Sequence, residues 1–402
     1  MKKIIVSQIG SRHRYMIPQI FESKGMLACL YTDSYNNSLI GLIFKLLSKL
    51  KISNKESKRL LNRKPGFSDK LIYANDFLQI KLLYHRIIKS PSIELKKIRF
   101  EGSSRWFKIQ GTKKADILYN MFIENFEYVS YAKSKGLKVI CDIYENPYIF
   151  KELAEEILTI PEYSCIRHHA QGFRESYELR MKYFDRMLEL ADAYLIPSAY
   201  VAEVIRQSPN FNPKKVHVIP YASSISNSNL SNKPQKGRLI WIGSDPVRKG
   251  IVYCQRAAKI LKEKYPYIDF RIIGTVSNDI VSSNDFKDLN FIGHLNKEQL
   301  EEEFNSADIF VFPTLAEGFA GALLEAASYG VPIITTHASG FDNDFPGVFI
   351  KQRNTEDIVN AVDYLMNNRV ERDNISKRLF EYSQNIDKEA FSNSLIQLIN
   401  NI

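Results

Sequence analysis

Short, continuously apolar runs alternate along the chain with longer segments whose apolar residues recur at helical spacing. Lys3–Ser7, Met26–Thr32, Ile117–Tyr119, Val139–Ile143 and Ala193–Ile196 have the β-branched character of buried strands. Met16–Ser23, Lys151–Ile157 and Glu175–Ala191 read as helices between them, and Leu39–Gln110 reads as helix-rich with no strong strand. A second series has strands at Leu239–Gly243, Phe270–Gly274, Phe291–Gly293, Ile309–Pro313 and Val331–Thr336. Its helices are Val252–Lys264, Lys297–Ser306 and a helical tail from Thr355. Strand and helix in alternation imply parallel sheets covered by helices, an α/β class. Asn210–Pro213 and the polar, turn-rich Ser223–Lys236 separate the two series. The expected division is a domain over 1–215, a linker over 216–236, a second domain over 237–385 and a final helix over 386–402.

A 402-residue chain with 45% hydrophobic and 25% charged residues can bury two full cores. No apolar run reaches the length of a membrane span. The opening MKKIIVSQIG is too short in apolar residues for a secretory signal. Cys29, Cys141, Cys165 and Cys254 are scattered without a Cys-x-x-Cys pair, which argues against a zinc or disulfide framework and suits a reducing cytoplasm.

A net charge of +10 calls for an anionic partner: nucleic acid, a membrane surface or the substrates. The chain carries no nucleic-acid motif. Its basic residues gather in Leu39–Lys64, where Leu42, Phe44, Leu46, Leu47 and Leu50 form an apolar stripe flanked by Lys45, Lys49 and Lys51. Such a helix either lies in the inner membrane interface or covers the first domain with a solvated basic face.

The segment Glu317–Thr336, EGFAGALLEAASYGVPIITT, holds the clearest chemistry. On one continuous helix Glu317 and Glu325 would stand about 80° out of phase and about 12 Å apart along the axis. They cannot share a proton or a metal, but they suit two ends of one extended ligand. Gly318, Ala320, Gly321 and Ala322 would let a ligand approach the backbone, and the first helix amides favour negative oxygen. Gly330 and Pro332 end the helix.

This segment resembles the Glu-x7-Glu signature of retaining glycosyltransferases with the GT-B fold, the family 4 type (glycosyl transferases group 1). LIWIGSDPVRKG at Leu239–Gly250, FRIIGTV at Phe270–Val276 and LNFIGHL at Leu289–Leu295 resemble that family in the same order. ADAYLIPSAYVAEVI at Ala191–Ile205 and VHVIPYA at Val216–Ala222 resemble its passage between domains. The resemblance covers Ala191–Thr336 well and the first half poorly. It implies two Rossmann-like domains facing each other across a cleft, with the last helix packing back on the first. It also implies a UDP- or GDP-linked sugar donor, no cofactor, no required metal, and a glycan or lipid-linked saccharide acceptor.

By the same resemblance Lys249, with Arg248 beside it, holds the donor diphosphate. Ser244 stands where the family often has arginine. Glu325 would accept from the ribose hydroxyls, and Glu317 would sit by the donor sugar. Phe319, Ala320 and Gly321 would offer amides, with alanine at position 320 where the family usually has glycine. Gly243, Gly274 and His294 would lie near the base or its phosphate, or simply end strands. For Lys249 and Arg248 the plainer reading is surface charge at a helix start. On the acceptor side, Gly10 follows the first strand, and Arg12 or His13 could reach a phosphate or the acceptor, unless the histidine is merely exposed. Asp142 and Glu145 replace a histidine the family often carries. His168 and His169 are expected to be surface histidines that share no metal, and Asp342–Asp344 a turn. Two other readings fit the sequence: a nucleotide-sugar epimerase or hydrolase, and a non-catalytic sugar-nucleotide-binding protein.

Overall fold

Two parallel sheets carry the chain in a computed structural model that describes residues 1–52, 55–222, 229–386 and 388–402. The first has seven strands: β1 (Ile4–Ser7), β2 (Leu27–Thr32), β3 (Ile72–Ala74), β4 (Ile117–Asn120), β5 (Lys138–Asp142), β6 (Ala193–Ile196) and β7 (Val216–Val218), in the order β3-β2-β1-β4-β5-β6-β7. The second has six: β8 (Arg238–Gly243), β9 (Asp269–Gly274), β10 (Asn290–Gly293), β11 (Ile309–Phe312), β12 (Ile333–Thr335) and β13 (Val348–Phe349), in the order β10-β9-β8-β11-β12-β13. The central strands β1, β4 and β11 are buried throughout, as their unbroken apolar runs require with helices on both faces.

Three features depart from the sequence reading. β3 pairs with β2 inside the region expected to lack strands; three residues are too few to show a period. β7 lies in the expected linker yet pairs with β6 as an edge of the first sheet. Residues 223–228 of that linker, Ser53 and Asn54 of the basic run, and Asp387 before the last helix lie outside the described residues. The third concerns the helix Leu39–Lys49, where most of the stripe turns outward, against only one of the two placements left open, with Phe44 and Leu47 half-buried. Leu42, Leu46 and the following Leu50 are exposed, while Ile40 and Gly41 are the buried residues. The Asp76 carboxylate accepts from the Leu39 and Ile40 amides, and Ser38 caps Gly41. A Cβ on Gly41 would stand 2.4 Å from the Tyr35 carbonyl oxygen, so the start of the helix docks tightly on the domain, and Phe44 is the stripe residue that turns inward.

The domains exchange helices. Helix Ile149–Thr159 and the following 3-10 turns Pro161–His169 leave the first sheet and bury Leu153, Ile157 and Tyr163 in the core that holds Trp241, Phe286 and Leu323. In return, helix Lys388–Asn401 buries Phe391, Leu395 and Ile399 beside Ile4, Val6 and Ile17 of the first domain. Each such side chain contributes roughly 1.5–3 kcal/mol when fully buried. Arg256 and Glu162 reinforce the first exchange as a two-pronged ion pair at 2.6 and 2.8 Å.

Candidate functional site

The site grows from the carboxyl ends of β8, β9 and β11. Gly243 ends β8, and the turn Ser244–Gly250 returns the chain so that the Lys249 stem crosses over it. A Cβ on Gly243 would lie 2.4 Å from Lys249 Cδ. Gly274 ends β9 alongside, at φ +123°, where a Cβ would lie 1.9 Å from the Gly243 carbonyl oxygen. Indole Nε1 of Trp241 donates to the Lys249 carbonyl at 3.0 Å and fixes the turn from below.

Three predicted residues meet here. Lys249 Nζ and Arg248 Nη1 each lie 2.7 Å from Oε1 of Glu317. Arg248 also donates from Nε to Asp245 at 2.9 Å and from Nη1 to the Ala316 carbonyl at 2.6 Å. The Lys249 ammonium stands 4.4 Å from the centre of the Phe312 ring. These are not surface charges at a helix start, because Lys249, Arg248 and Glu317 all sit well inside the fold. Burial pushes the Glu317 carboxyl up, but Lys249 and Arg248 together outweigh it and hold the group below its usual range. Burial pulls on Arg248 as well, yet Glu317 and Asp245 raise it above the ordinary guanidinium value. Two cations thus stand against two carboxylates, Glu317 and Asp245.

Glu317 lies in a loop and Glu325 inside the helix Gly321–Ser328. Burial raises the Glu325 carboxyl, and Arg14 of the first domain is the cation that acts against this. The loop between them is held from both sides. Glu317 donates its amide to Ala338 O at 2.7 Å, and Ala320 donates to Ser339 O at 2.9 Å. Ala320 therefore has no amide to offer a ligand. Among the described residues the amides of Phe319 and Gly321 have no such acceptor. Gly318 gives close approach to protein and not to ligand: a Cβ there would stand 1.7 Å from the Tyr144 carbonyl oxygen. Gly321, with nothing within 4 Å of its Cβ position, keeps open space. Ser198 Oγ donates to Gly318 O at 2.7 Å and Tyr200 to Leu315 O at 3.3 Å, so the start of the helix Ala199–Ile205 in the first domain clasps the Glu317 loop. Sequence reasoning missed Tyr144, Ser198, Tyr200 and Asp245; only the PSAY run hinted at two of them.

Ser244 and Asp245 line a groove of about 330 Å³ that Thr275, Val276 and the exchanged Ile166 and Phe173 complete. His294, beyond β10, is exposed.

The acceptor-side residues are committed inside the protein. Gly10 donates to the fully buried Asp33 at 2.8 Å. Arg12 stacks on Tyr144, its guanidinium carbon 3.1 Å from the ring centre. Asp142 accepts from Tyr119 at 2.9 Å and Tyr221 at 2.5 Å, and burial raises its carboxyl despite both. Glu145 pairs with Arg180 at 2.8 Å. His13 is not an exposed loop histidine. Its ring packs 4.0 Å from Tyr221, and Nε2 is buried without a hydrogen-bond partner. His13, Arg14 and Tyr15 take successive left-handed φ values of 47°, 50° and 64°, a strained run next to the Glu325 charge.

Burial, helped by Arg12, pulls the His13 imidazole down to about 4 from 6.5. The unfolded chain then binds the proton more readily, so stability falls as pH drops from the unfolded value toward the folded one. The expected loss is about 3 kcal/mol at most. Urea unfolding across that window should show the slope, and His13→Asn should flatten it.

His168 and His169 both turn toward Asp279, each Nε2 3.8 Å from Oδ2, with ring centres 4.2 Å apart. Both histidines are exposed, as the sequence reading expected, and their ring nitrogens nonetheless lie close to one carboxylate. The three are exposed and lie with metal-ligand spacing. Asp342–Asp344 forms a turn closed by Phe345 N to Asp342 O at 3.0 Å.

Residues 225–382 match the sequence model of the family described as glycosyl transferases group 1. The Campylobacter jejuni enzyme N,N'-diacetylbacillosaminyl-diphospho-undecaprenol alpha-1,3-N-acetylgalactosaminyltransferase is 24% identical over 188 residues, 44% of this chain and 48% of that protein. The chain thus spans about half the length of that curated relative. A variant of S. aureus TarM, solved with fondaparinux, alpha-GlcNAc-glycerol and UDP, superposes over all of both chains with a TM-score of 0.65 at 13% identity. WaaG, a glycosyltransferase involved in lipopolysaccharide biosynthesis, superposes over 98% of this chain and 99% of its own with a TM-score of 0.62 at 14% identity. Two Rossmann-like domains with this pairing are the GT-B fold, and Lys249, Glu317 and Glu325 all lie within the residues that match the glycosyl transferases group 1 model.

Proposed function

We propose that this chain is a retaining, metal-independent glycosyltransferase that moves a sugar from a nucleotide-diphosphate sugar to a glycan or lipid-linked saccharide in surface polysaccharide synthesis. The observation that carries the reading is the convergence of Lys249 and Arg248 on Glu317 at the ends of β8 and β11. Residues 237–385 take the donor and the first domain takes the acceptor. Lys249 and Arg248 hold the diphosphate, and Glu325 accepts from the ribose diol. Glu317 and the Phe319 and Gly321 amides position the sugar, while Gly243, Ser244, Gly274 and His294 flank the nucleotide. Breaking the bond from anomeric carbon to phosphate oxygen leaves negative charge on phosphate, which fixed cations stabilise. The acceptor oxygen bonds to the same face of that carbon, and the departing phosphate takes its proton. The two cations supply the charge a divalent metal would otherwise bring.

UDP is our first choice of donor base, because S. aureus TarM was solved with it. GDP is the second. Thermal unfolding against a panel of UDP- and GDP-sugars tests this. The right donor, at a hundred times its dissociation constant, should add about 2.7 kcal/mol. If no nucleotide sugar stabilises the protein, the reading fails. Turnover of donor without acceptor would instead mark an epimerase or hydrolase.

We also place the first domain against an anionic membrane from the cytoplasmic side. No helix among the described residues is long and apolar enough to cross a membrane. The outward stripe Leu39, Leu42, Leu46 and Leu50 stands beside Lys49 and Lys51. Sedimentation with anionic vesicles, weakened by salt, checks the contact.

A further inference from the structure

Behind the outward-facing helices lies a cavity of about 80 Å³ that the donor site does not use. It sits among helices Leu39–Lys49, Lys55–Leu61, Asp76–Ile87 and Ser92–Gln110. Four arginines line it, Arg59, Arg63, Arg86 and Arg99, together with the apolar Ile40 and Phe44. Asp33 is the carboxylate that pairs with Arg63 and Arg99, and its oxygens are already taken. Arg63 donates to it at 3.0 Å, Arg99 at 3.1 Å, Gln79 at 3.2 Å and the Gly10 amide at 2.8 Å. One carboxylate shared by two guanidiniums leaves this end of the cavity positive. Nε of Arg99 is buried with no hydrogen-bond partner. Burial lowers the Arg99 guanidinium, and Arg63 and Arg86 push the same way against Asp33. An anion of phosphate size would relieve the crowding, and a void of this volume has room for one in place of several waters.

Two of the helices that wall the cavity, Leu39–Lys49 and Asp76–Ile87, expose a broad apolar face. Leu39, Leu42 and Leu46 project from one, and Phe77, Ile80 and Ile87 from the other. A free phosphate would need no such rim, and a nucleic acid would be repelled by it. A lipid that ends in phosphate matches both parts: chain against the leucines, charge against the arginines. Arg63 reaches behind the Gly10 loop at the end of β1, with Nη2 3.8 Å from where a Gly10 Cβ would stand.

We propose that this arginine-lined cavity is the site for the diphosphate of a lipid-linked acceptor, with the lipid along the exposed helix faces and the saccharide running past Gly10 into the interdomain crevice. The proposal rests on the glycosyltransferase reading for its acceptor class, but on the cavity alone for its site.

The test uses the full chain and three probes: inorganic pyrophosphate by calorimetry, vesicle sedimentation, and UDP by thermal shift. Arg59→Gln and Arg86→Gln are the variants, since both residues are exposed and their replacement leaves the Asp33 pairs intact. Wild type should bind pyrophosphate saturably, and each variant should weaken it about tenfold. Neutral phosphatidylcholine vesicles carrying a polyprenyl diphosphate should retain wild type and lose both variants. The proposal is overturned if pyrophosphate does not bind or if the variants bind it like wild type. It is also overturned if phosphatidylglycerol vesicles retain wild type and variants alike while the polyprenyl diphosphate adds nothing, for then only surface charge is read. UDP binding separates the two readings: it should persist in every variant if the donor site is intact. Its loss in wild type, with pyrophosphate still bound, would remove the donor assignment and leave the cavity standing.

Discussion

Lys249→Ala is expected to lower the rate of sugar transfer by about 10²- to 10³-fold, the usual effect of removing one fixed charge or donor from a developing oxyanion. The ammonium is held in place by Glu317 at 2.7 Å and the Phe312 ring, over a glycine that alone leaves room for its stem. Lys249→Met keeps the stem and removes the charge, so it should lose nearly as much activity with less change in packing. Both should show the loss in kcat, measured by steady-state kinetics with saturating donor. The same substitutions should shift acid unfolding. The folded pKa of Glu317 lies below its unfolded value, so its contribution to stability is present above the unfolded value and lost as pH falls through the folded one. With Lys249 gone, the folded value rises toward the unfolded one, so the pH window narrows from its acid side and the contribution shrinks. Full transfer activity in both variants would remove the catalytic assignment.

Gly318→Ala should be almost as damaging, for a geometric reason. Its methyl group would stand 1.7 Å from the Tyr144 carbonyl oxygen and 2.5 Å from its carbon, both main-chain atoms that cannot rotate away. Either the Glu317 loop or the facing loop of the first domain must move. Ser198 and Tyr200 tie that loop to the first domain, so movement displaces Glu317 from Lys249 and Arg248. A misplacement of about 1 Å at a reacting group costs about 10²-fold in rate. Overpacking of this kind costs about 1–3 kcal/mol of stability. Gly321→Ala is the control: it adds the same methyl group three residues on, into space with no neighbour within 4 Å, and should change thermal unfolding little. Equal destabilisation of the two variants in thermal unfolding would contradict the clasped arrangement.

The second domain was the more legible half. Its strands are continuous apolar runs with glycine at their ends, and helix Lys297–Ser306 has its capping box written in Asn296 and Gln299. Lys249, Arg248 and Glu317 could be named in advance because the motifs that carry them are local in sequence. Their partners could not. Asp245 looks like any turn aspartate, and Tyr144, Ser198 and Tyr200 reach the Glu317 loop through contacts more than a hundred residues away in the chain. His13 misled for the same reason. A polar loop sequence suggests exposure, but Tyr221, met only through the tertiary fold, covers its ring.

Local sequence therefore determined what depends on neighbours a few residues apart: the strand and helix order, the α/β class, the adjacent cations Arg248 and Lys249 and the positions of the two glutamates. Folding in three dimensions decided the rest. It chose which domain each exchanged helix would join and which face of the basic helix would turn outward. It also gathered four arginines, from three helices and a loop, around one cavity beside a buried carboxylate. Periodicity shows that a side chain is apolar or charged. Only packing, through the cost of burying each group and the partner that offsets it, settles which surface meets which.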